Sequence, residues 1–329
     1  MRKLKEIKLF WATDIKRNEG NQFGYYVHNK MLREASEKHI QLVDKDFTDA
    51  IYILSPEFFK EKIPGVNTWI FTMFEGTTIP AIYQKQLQKA DYLLAPSTWV
   101  KALFDKYFPP EKSFVVPHGV SRKFLFKKRV IPQRKPFRFL WVGAPNPRKG
   151  YEEVAVVWDA IFKNEPRVEL YMKTTLVPGL ERKRNVILDG RKLSEKELVD
   201  LYLSAHCFLF PTRGEGFGLT LAEAMRTGCP CIATPYSGVT DFFDERVGFP
   251  LEYKMGKGKI KFVGDDHEEE TEIAYPDPND LARQMIRVLE NYKEASERGE
   301  RAYRRMLTVN WNNSARRLAD VLCGVPASL

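Results

Sequence analysis

The chain has 329 residues, of which 43% are hydrophobic and 29% charged, and this length and composition predict a globular protein of two domains. The sequence has no apolar run near the ~18 residues that a membrane-spanning helix needs, and the apolar run at its basic N-terminus is too short for a signal peptide. The four cysteines show no paired framework. Reduced thiols and a cytoplasmic location, in solution or at a membrane surface, are therefore expected.

Positive charge is concentrated in the first part of the chain. Residues 1–135 contain 24 Lys and Arg against 14 Asp and Glu, whereas the remainder contains 28 against 29. Two basic clusters stand out, "MRKLKEIK" and "SRKFLFKKRVIPQRK", and Phe124 and Phe126 alternate with bases in the second. This pattern favours a polyanionic partner such as nucleic acid, on which the phenylalanines would stack, or an anionic lipid or polysaccharide. The alternative is a solvated linker whose charge serves solubility alone.

Short apolar runs alternate with amphipathic stretches along the chain, a pattern typical of parallel α/β sheets. In the first part, the predicted strands are 7–13, 50–54, 67–74, 92–97 and 113–119, and the predicted helices are 25–38, 81–90 and 99–108. A basic, proline-containing linker follows. The pattern then restarts with predicted strands at 137–145, 168–175, 185–190, 207–211 and 231–235.

Two doubly wound, Rossmann-like domains in series account for this pattern. We predict an N-terminal domain over 1–130 and a second domain over 131–308, with a helix at 309–329 that packs back on the first. Residues 251–280 are polar and charged and are interpreted as a surface excursion. Residues 280–322 are predicted to be helical with a break near 309–313. Ligands of such sheets bind beyond the carboxyl ends of the strands.

A glycine-rich turn, "TRGEGFG", follows the predicted strand 207–211 and leads into a helix. Glu215 lies in the turn, and Glu223 lies in the helix eight positions later. Such a turn presents backbone N–H groups at the positive end of a helix, which suits phosphate, whereas carboxylates suit hydroxyl groups. Phosphate together with many hydroxyls describes a nucleotide sugar. The alternative is a helix start that merely favours acidic residues.

The stretch "RGEGFGLTLAEAMRTGCPCIATPYSGVTDFF" resembles the E-x7-E motif of the retaining GT-B glycosyltransferases, family 4 in particular. The resemblance extends to four further segments: 71–120, 139–154, 274–285 and 310–322. It implies an α/β fold of GT-B type, in which two Rossmann-like domains face each other across a cleft. It also implies transfer of a hexose, with retention, from a donor such as UDP- or GDP-hexose to an acceptor hydroxyl, with no metal or other cofactor.

The resemblance also implies roles for single residues. Glu223 would bind the ribose hydroxyls of the donor, Glu215 would hold hydroxyls of its sugar, and Lys149 would bind its diphosphate. Backbone N–H groups would face the sugar and diphosphate at Gly216, Phe217, Gly218 and Leu219. Gly24 matches a glycine-rich loop that approaches the donor phosphates, and it also fits a plain strand-to-helix turn.

The sequence departs from the family pattern at one phosphate-binding position. Family members usually carry an arginine five positions before the diphosphate-binding lysine, and this chain has Ala144 there. Arg148 and Arg213 are the candidates to replace the missing cation, although each is equally compatible with a solvated surface charge.

Two residues of the predicted N-terminal domain lie at strand ends, where chemistry is expected. His118 is a candidate ligand or proton carrier, or else a structural histidine, and Glu75 is a candidate base that faces the acceptor. Asp44 and Asp46 imitate the metal-binding D-x-D of another glycosyltransferase fold, and we interpret them as a coincidence. No His, Cys or Asp cluster has the spacing of a metal site.

Two other classes of function remain compatible with these motifs. One is a GT-B-fold epimerase that acts on a nucleotide sugar, and the other is a non-catalytic protein that binds nucleotide sugars or nucleic acid. The epimerase would need further acid and base residues in the second domain. The pair of glutamates favours catalysis over binding alone.

Overall fold

The computed structural model describes residues 7–12, 23–131, 135–174, 185–261 and 268–324. The chain divides into two compact units. The N-terminal unit comprises Met1–Gly119, Gly258–Glu272 and Val309–Leu329, and the C-terminal unit comprises Val120–Lys257 and Ile273–Thr308. The last segment of the chain thus belongs to the first unit.

The described residues form strands and helices in alternation. The strands are β1 (Lys8–Trp11), β2 (Gln41–Leu42), β3 (Asp49–Ile53), β4 (Asn67–Phe71), β5 (Tyr92–Ala95), β6 (Ser113–Val115), β7 (Phe137–Val142), β8 (Val168–Lys173), β9 (Val186–Asp189), β10 (Cys207–Phe210), β11 (Cys231–Ala233), β12 (Phe249–Pro250), β13 (Tyr253–Lys261) and β14 (Glu268–Pro276). The α-helices are α1 (Phe23–Ser36), α2 (Ala81–Leu87), α3 (Thr98–Phe104), α4 (Tyr151–Val157), α5 (Glu195–Ser204), α6 (Leu219–Arg226), α7 (Pro278–Glu290), α8 (Tyr292–Arg305) and α9 (Trp311–Leu322). No helix among the described residues has both the length and the apolar character needed to cross a bilayer.

The N-terminal unit is built on a parallel sheet of six strands in the order β2-β1-β3-β4-β5-β6. Its central strands carry apolar side chains without alternation: Ile51, Ile53, Ile70 and Phe71 are all fully buried. A strand that is apolar on both faces is covered on both faces, as parallel sheets are. Because β3 and β4 are parallel neighbours, the loops that follow them lie at the same edge of the sheet.

Helix α9 packs in the N-terminal unit beside the end of β6. Asn310 caps the helix by accepting a hydrogen bond from the N–H of Asn313 at 3.1 Å. A β-carbon on Gly119 would lie 2.1 Å from the backbone nitrogen of Trp311, so only glycine permits this approach.

The C-terminal unit has a second parallel sheet of six strands, in the order β12-β11-β10-β7-β8-β9. Strands β7 and β10 are neighbours near its centre. Phe139, Trp141 and Leu209 are buried in the core around them. The two parallel six-stranded sheets match the predicted pair of doubly wound domains.

The predicted linker is part of the C-terminal unit, which begins at Val120 rather than at residue 131. Phe124 is only 2% exposed, and its ring centroid lies 5.6 Å from that of Tyr202. Arg129 is also buried, and its guanidinium donates hydrogen bonds to the carbonyl oxygens of Tyr202 and Ala205 at 3.0 and 2.9 Å. Hence the prediction that Phe124 is available to stack on bases is wrong, because this ring fills the core.

Residues 251–280 contain more regular structure than the sequence indicated. Strands β13 and β14 pair in a separate two-stranded sheet. The many lysines, glycines and glutamates of this segment hide the strand pattern, and even its apolar Tyr253 and Met255 remain exposed. The helical break predicted near 309–313 lies slightly earlier, at residues 306–310 between α8 and α9, and a second break occurs at Asn291, which caps α8.

Candidate functional site

Two loops of the C-terminal unit meet at the carboxyl ends of adjacent strands. One loop follows β7 and carries "GAPNPRKG", and the other follows β10 and carries "PTRGEGFG". Gly150 has φ = 72°, and a β-carbon there would lie 1.8 Å from the carbonyl oxygen of Pro211. The N–H of Arg213 donates to the carbonyl of Arg148 at 2.7 Å. The glycine of "RKG" therefore lets the two loops lie against each other.

Glu215 lies where these loops meet and is 6% exposed. Its Oε1 accepts hydrogen bonds from Nζ of Lys149 at 2.6 Å and from Oγ1 of Thr212 at 2.9 Å. Nη1 of Arg148 forms an ion pair with the same oxygen at 3.2 Å. The structure thus brings together three residues that the sequence singled out separately.

Burial and the neighbouring residues have opposite effects on the pKa of Glu215. Burial raises the pKa of this carboxyl, but the charges of Lys149 and Arg148, together with hydrogen bonds from Lys149 and Thr212, outweigh it and lower the pKa below its ordinary value. Glu215 is therefore ionised at neutral pH. Two cations concentrated around one buried carboxylate leave this part of the site with a net positive charge.

The backbone of Glu215 is held by Ser237, which the sequence analysis missed. The N–H of Glu215 donates to Oγ of Ser237 at 2.7 Å, and the hydroxyl of Ser237 donates to the carbonyl of Tyr236 at 2.6 Å. Ser237 is buried and has φ = 64°, a left-handed conformation that favours glycine. The serine is thus strained where glycine would not be, and its hydroxyl makes a hydrogen bond that glycine could not make.

The turn before α6 presents the start of that helix to the same loops. Gly218 has φ = 91°, and a β-carbon there would lie 2.6 Å from Cγ1 of Val239. Gly216 and Phe217 are buried, with the Phe217 ring packed against Phe242 at 5.1 Å, and the helix begins at Leu219. First-turn N–H groups have no acceptor within their own helix and carry a partial positive charge. The predicted backbone donors therefore lie in the expected turn.

Glu223 lies in α6 and is 9% exposed. Its Oε2 accepts a hydrogen bond from the hydroxyl of Tyr202, in α5, at 2.9 Å. Burial raises the pKa of Glu223 to about 8, although the Tyr202 hydrogen bond acts in the opposite direction. Tyr202 is a second residue that the sequence analysis missed, because a tyrosine in an ordinary amphipathic helix gives no signal of a polar contact.

The two candidate replacements for the cation missing at Ala144 have different surroundings. The guanidinium of Arg213 lies 2.9 Å from Glu152 and 2.8 Å from Glu153, and it stacks on the ring of Tyr275. Arg148 instead lies beside Glu215 and Lys149 and donates to the carbonyl of Gly214. The structure therefore favours Arg148 as the second cation of this cluster.

In the N-terminal unit, His118 is 4% exposed in the core. Its ring lies 4.1 Å from that of His28 and 5.8 Å from that of Trp311, and burial lowers its pKa to about 3. These surroundings are those of a neutral structural histidine.

Of the other two candidates of the N-terminal unit, Glu75 lies on a loop and Gly24 lies in a helix. Glu75 is half-buried in the loop after β4, and Thr271 accepts a hydrogen bond from the N–H of Thr77 in that loop at 3.0 Å. Gly24 is exposed in the first turn of α1, and residues 13–22 before it lie outside the described residues.

Among the described residues, no three His, Cys, Asp or Glu side chains form a group that could hold a metal ion. Asp44 and Asp46 are both exposed after β2. The cationic part of the candidate site is formed by side chains and a helix start.

Comparisons with known proteins place the chain among glycosyltransferases. A family model described as "Family 4 Glycosyltransferase in conflict systems" matches residues 96–318. The MMP α-(1→4)-mannosyltransferase of Mycolicibacterium hassiacum is 26% identical over 223 residues, which cover 65% of this chain and 48% of that protein. The mannosylfructose-phosphate synthase of Agrobacterium fabrum is 25% identical over 151 residues, which cover 41% of this chain and 31% of that protein. The chain thus spans less than half the length of these two relatives.

Solved structures share the fold over nearly the whole chain. Alr3699/HepE of Anabaena, solved in complex with UDP and glucose, has a TM-score of 0.67 at 14% identity and covers 96% of this chain and 99% of its own. Sucrose-phosphate synthase of Thermosynechococcus elongatus has a TM-score of 0.62 at 18% identity and covers 92% of this chain and 79% of its own. Likeness at this identity concerns the fold, and it confirms the predicted GT-B architecture.

Proposed function

Because the chain belongs to the family 4 glycosyltransferases of conflict systems, we propose that it moves a hexose, with retention, from a nucleoside-diphosphate sugar to an acceptor hydroxyl. The observation that carries this proposal is the cluster in which Lys149 and Arg148 converge on buried Glu215 beside the start of α6. Such a cluster pairs cations for a diphosphate with a carboxylate for hydroxyl groups.

The donor would lie along the loops after β7 and β10. Lys149, Arg148 and the first-turn N–H groups of α6 would bind its diphosphate. Glu215 would accept hydrogen bonds from hydroxyls of the hexose, and Glu223 from hydroxyls of the ribose. The complex of the Anabaena protein with UDP and glucose supports a donor of this class at the level of fold.

In the reaction, the bond between the anomeric carbon and the diphosphate breaks while the acceptor oxygen bonds to that carbon from the same face. The proton of the acceptor hydroxyl passes to the departing phosphate oxygen. Negative charge grows on the diphosphate as the bond breaks, and Lys149, Arg148 and the helix start would stabilise it. These fixed cations and dipoles would take the place of a metal ion.

The acceptor is the part of the reaction about which the sequence was weakest. The predicted polyanion depended on the basic excess of residues 1–135 and on two phenylalanines, of which Phe124 is buried.

The proposal is tested by measuring release of nucleoside diphosphate from a panel of UDP- and GDP-hexoses, with and without EDTA. We expect release with at least one donor, unchanged by the chelator. Release that stops with EDTA and returns with Mn²⁺ or Mg²⁺ would contradict metal independence. Interconversion of the donor sugar without release would favour the epimerase, and binding with neither reaction would favour a non-catalytic protein.

A further inference from the structure

Arg213, in the loop after β10, is held in place by both of its backbone groups. Its N–H donates to the carbonyl of Arg148, in the loop after β7, at 2.7 Å, and its carbonyl accepts a hydrogen bond from the N–H of Ala274, in β14, at 3.0 Å. All three residues belong to the C-terminal unit. The backbone of Arg213 therefore joins the loop after β10 both to the loop after β7 and to the β13–β14 sheet.

The side chain of Arg213 lies between that sheet and the first turn of α4. Its Nε and Nη2 donate to Oε1 of Glu153 at 3.0 and 2.8 Å, and Nη2 also donates to Oε2 of Glu152 at 2.9 Å. The centre of the guanidinium lies 5.0 Å from the centroid of the Tyr275 ring, in β14. A planar guanidinium can bind carboxylates along its edge while its face contacts an aromatic ring, which a lysine ammonium cannot do.

Tyr275 is itself fixed by the other strand of this sheet. Its hydroxyl donates to the carbonyl of Lys257, in β13, at 2.8 Å. A β-carbon on Gly256 would lie 3.1 Å from Cε2 of Tyr275, so the ring lies close to this glycine. The segment that the sequence indicated as a surface excursion thus presents a fixed ring and a backbone donor to Arg213.

The two residues that flank Arg213 hold the cluster around Glu215. The hydroxyl of Thr212 donates to Oε1 of Glu215 at 2.9 Å. The carbonyl of Gly214 accepts a hydrogen bond from Nη1 of Arg148. Consecutive residues are joined by rigid, planar peptide units, so the position of Arg213 limits where both of these groups can lie.

We propose that Arg213 is a positioning residue for the transfer reaction, and that the β13–β14 sheet acts through it to hold the loop after β10 in its active arrangement. In this role Arg213 contacts no substrate group, because its guanidinium binds Glu152 and Glu153. Its effect reaches the reaction through Thr212 and Gly214. The inference rests on the proposed transferase function. The alternative is an ion pair that contributes to folding and leaves the loop unaffected.

The first test measures the order of the loop without turnover. Arg213→Ala alone would leave Glu153 buried without its cation, so it is combined with Glu153→Gln and compared with Glu153→Gln alone. Hydrogen exchange followed by mass spectrometry should show faster exchange over residues 211–219 when Arg213 is lost, and no change in the N-terminal unit. Unchanged exchange over 211–219, or an equal rise throughout the C-terminal unit, would overturn the proposal.

The second test measures release of nucleoside diphosphate by the same pair of variants. Loss of Arg213 should lower kcat by roughly 10- to 100-fold, because a small displacement of catalytic groups has effects of this size. The KM for the donor should change by less than about threefold, since Glu223 and the start of α6 stay in place. Arg213→Lys should recover part of the lost kcat, because lysine keeps the charge but not the planar contact. Arg167→Ala removes an exposed arginine that pairs with Glu165, and this control should keep the wild-type kcat.

A double-mutant cycle tests whether the β13–β14 sheet acts through Arg213. Tyr275→Ala removes the ring and should lower kcat by roughly 3- to 10-fold, whereas Tyr275→Phe, which keeps the ring, should stay within about threefold. Once Arg213 has been replaced, Tyr275→Ala should have no further effect, as expected for two residues that act through one contact. Additive losses would show that the sheet and Arg213 act separately, and would overturn this part of the proposal.

The outcomes separate the two proposals. If the wild-type protein releases nucleoside diphosphate from no donor, the transferase proposal fails, and the exchange pattern still decides whether Arg213 orders the loop. If the wild-type protein is active, and loss of Arg213 speeds exchange over 211–219 but leaves kcat unchanged, the transferase proposal stands and the positioning role fails.

Discussion

The two units are built on the same architecture, yet the carboxyl edges of their sheets carry different chemical groups. In the C-terminal unit, Lys149 and Arg148 converge on Glu215, and the edge is cationic. In the N-terminal unit, the corresponding edge carries two hydrogen-bonded pairs of hydroxyls, Tyr25 with Thr72 and Ser55 with Tyr83, and Glu57 accepts a hydrogen bond from Ser55. A shared fold therefore supplies the place for a site, while the loops at that edge decide its chemistry.

The same comparison shows how little the net charge of a segment says about a local site. Positive charge is in excess over residues 1–135, which contain most of the N-terminal unit, but the hydrogen bonds described at the carboxyl ends of β3 and β4 join neutral hydroxyls and Glu57. Basic residues such as Arg122 and Lys128 are exposed elsewhere, in a segment that belongs to the C-terminal unit. Long-range charge affects encounter and solubility, whereas recognition depends on the groups within a few ångströms of the ligand.

The largest expected effect tests the cationic edge. Lys149→Ala removes a cation that would stabilise the departing diphosphate and leaves Glu215 with Arg148 as its charged partner. We expect turnover to fall by roughly 10²- to 10³-fold, as for loss of one donor to a developing negative charge. Steady-state release of nucleoside diphosphate measures this, and Lys192→Ala, at an exposed position of the same unit, is the control. A folded Lys149→Ala protein with unchanged kinetics would exclude this lysine from the site.

The second prediction concerns Glu223, whose carboxyl is buried without a cation at hydrogen-bonding distance among the described residues. Glu223→Ala should weaken binding of the donor nucleotide by roughly 10- to 150-fold. Because burial raises the pKa of Glu223 to about 8, the ionised form that accepts hydroxyl hydrogen bonds should increase as pH rises through 8, and donor affinity with it. Tyr202→Phe should shift this rise to higher pH, because the lost hydrogen bond had lowered the pKa. Calorimetric titration with UDP and GDP from pH 6 to 9.5 measures both effects.

Glu223 also affects stability, with the opposite dependence on pH. Its pKa is higher in the folded protein than the ordinary value of 4.5, so its contribution to stability is fully present below pH 4.5 and is lost as pH rises through about 8. Glu223→Gln cannot ionise, so its Tm should exceed that of the wild-type protein above pH 8. A Tm difference that does not change with pH would show that Glu223 is not buried as described.

The third prediction, of a smaller effect, concerns Ser237. It distinguishes the cost of the strained Ser237 backbone from the contribution of its hydroxyl to the position of Glu215. Ser237→Gly relieves a left-handed backbone but removes the hydroxyl that accepts the Glu215 N–H. We expect an equal or higher Tm with turnover lowered by about 10-fold, as loss of one positioning hydrogen bond predicts. Ser237→Ala keeps the strain and should lower both. Thermal melts and kinetics on the pair decide the matter, and full activity in Ser237→Gly would mean that the hydroxyl has no role in positioning Glu215.

The smallest effect is expected in the basic segment that contains Arg122 and Lys128, where the sequence predicted binding of a polyanion. Arg122→Glu combined with Lys128→Glu reverses two exposed charges of the former linker. If the acceptor is neutral, its KM should change by less than about twofold, since exposed charges at a distance are screened by salt. A strong, salt-dependent rise in KM would instead restore the polyanionic acceptor and weaken the contrast between the two edges.

The sequence by itself determined the parts of this protein that depend on local pattern. Alternating apolar and amphipathic runs predicted both parallel sheets, because strand and helix periods are properties of neighbouring residues. The glycine-rich turn placed Glu215 and Glu223 correctly in a turn and the following helix. Family resemblance added Lys149, which the structure brings to 2.6 Å from Glu215.

Only the tertiary structure decided the contacts that join distant parts of the chain. Arg148 rather than Arg213 lies beside Glu215, and no local pattern distinguishes two arginines that both precede a glycine or lysine of a loop. The hydroxyls of Ser237 and Tyr202 reach the two glutamates from positions 22 and 21 residues away. Burial of Phe124 and Arg129 depended on a pocket formed by α5 and its neighbours. A side chain's field and partners are set by what packs around it, and packing is a property of the whole fold rather than of any segment.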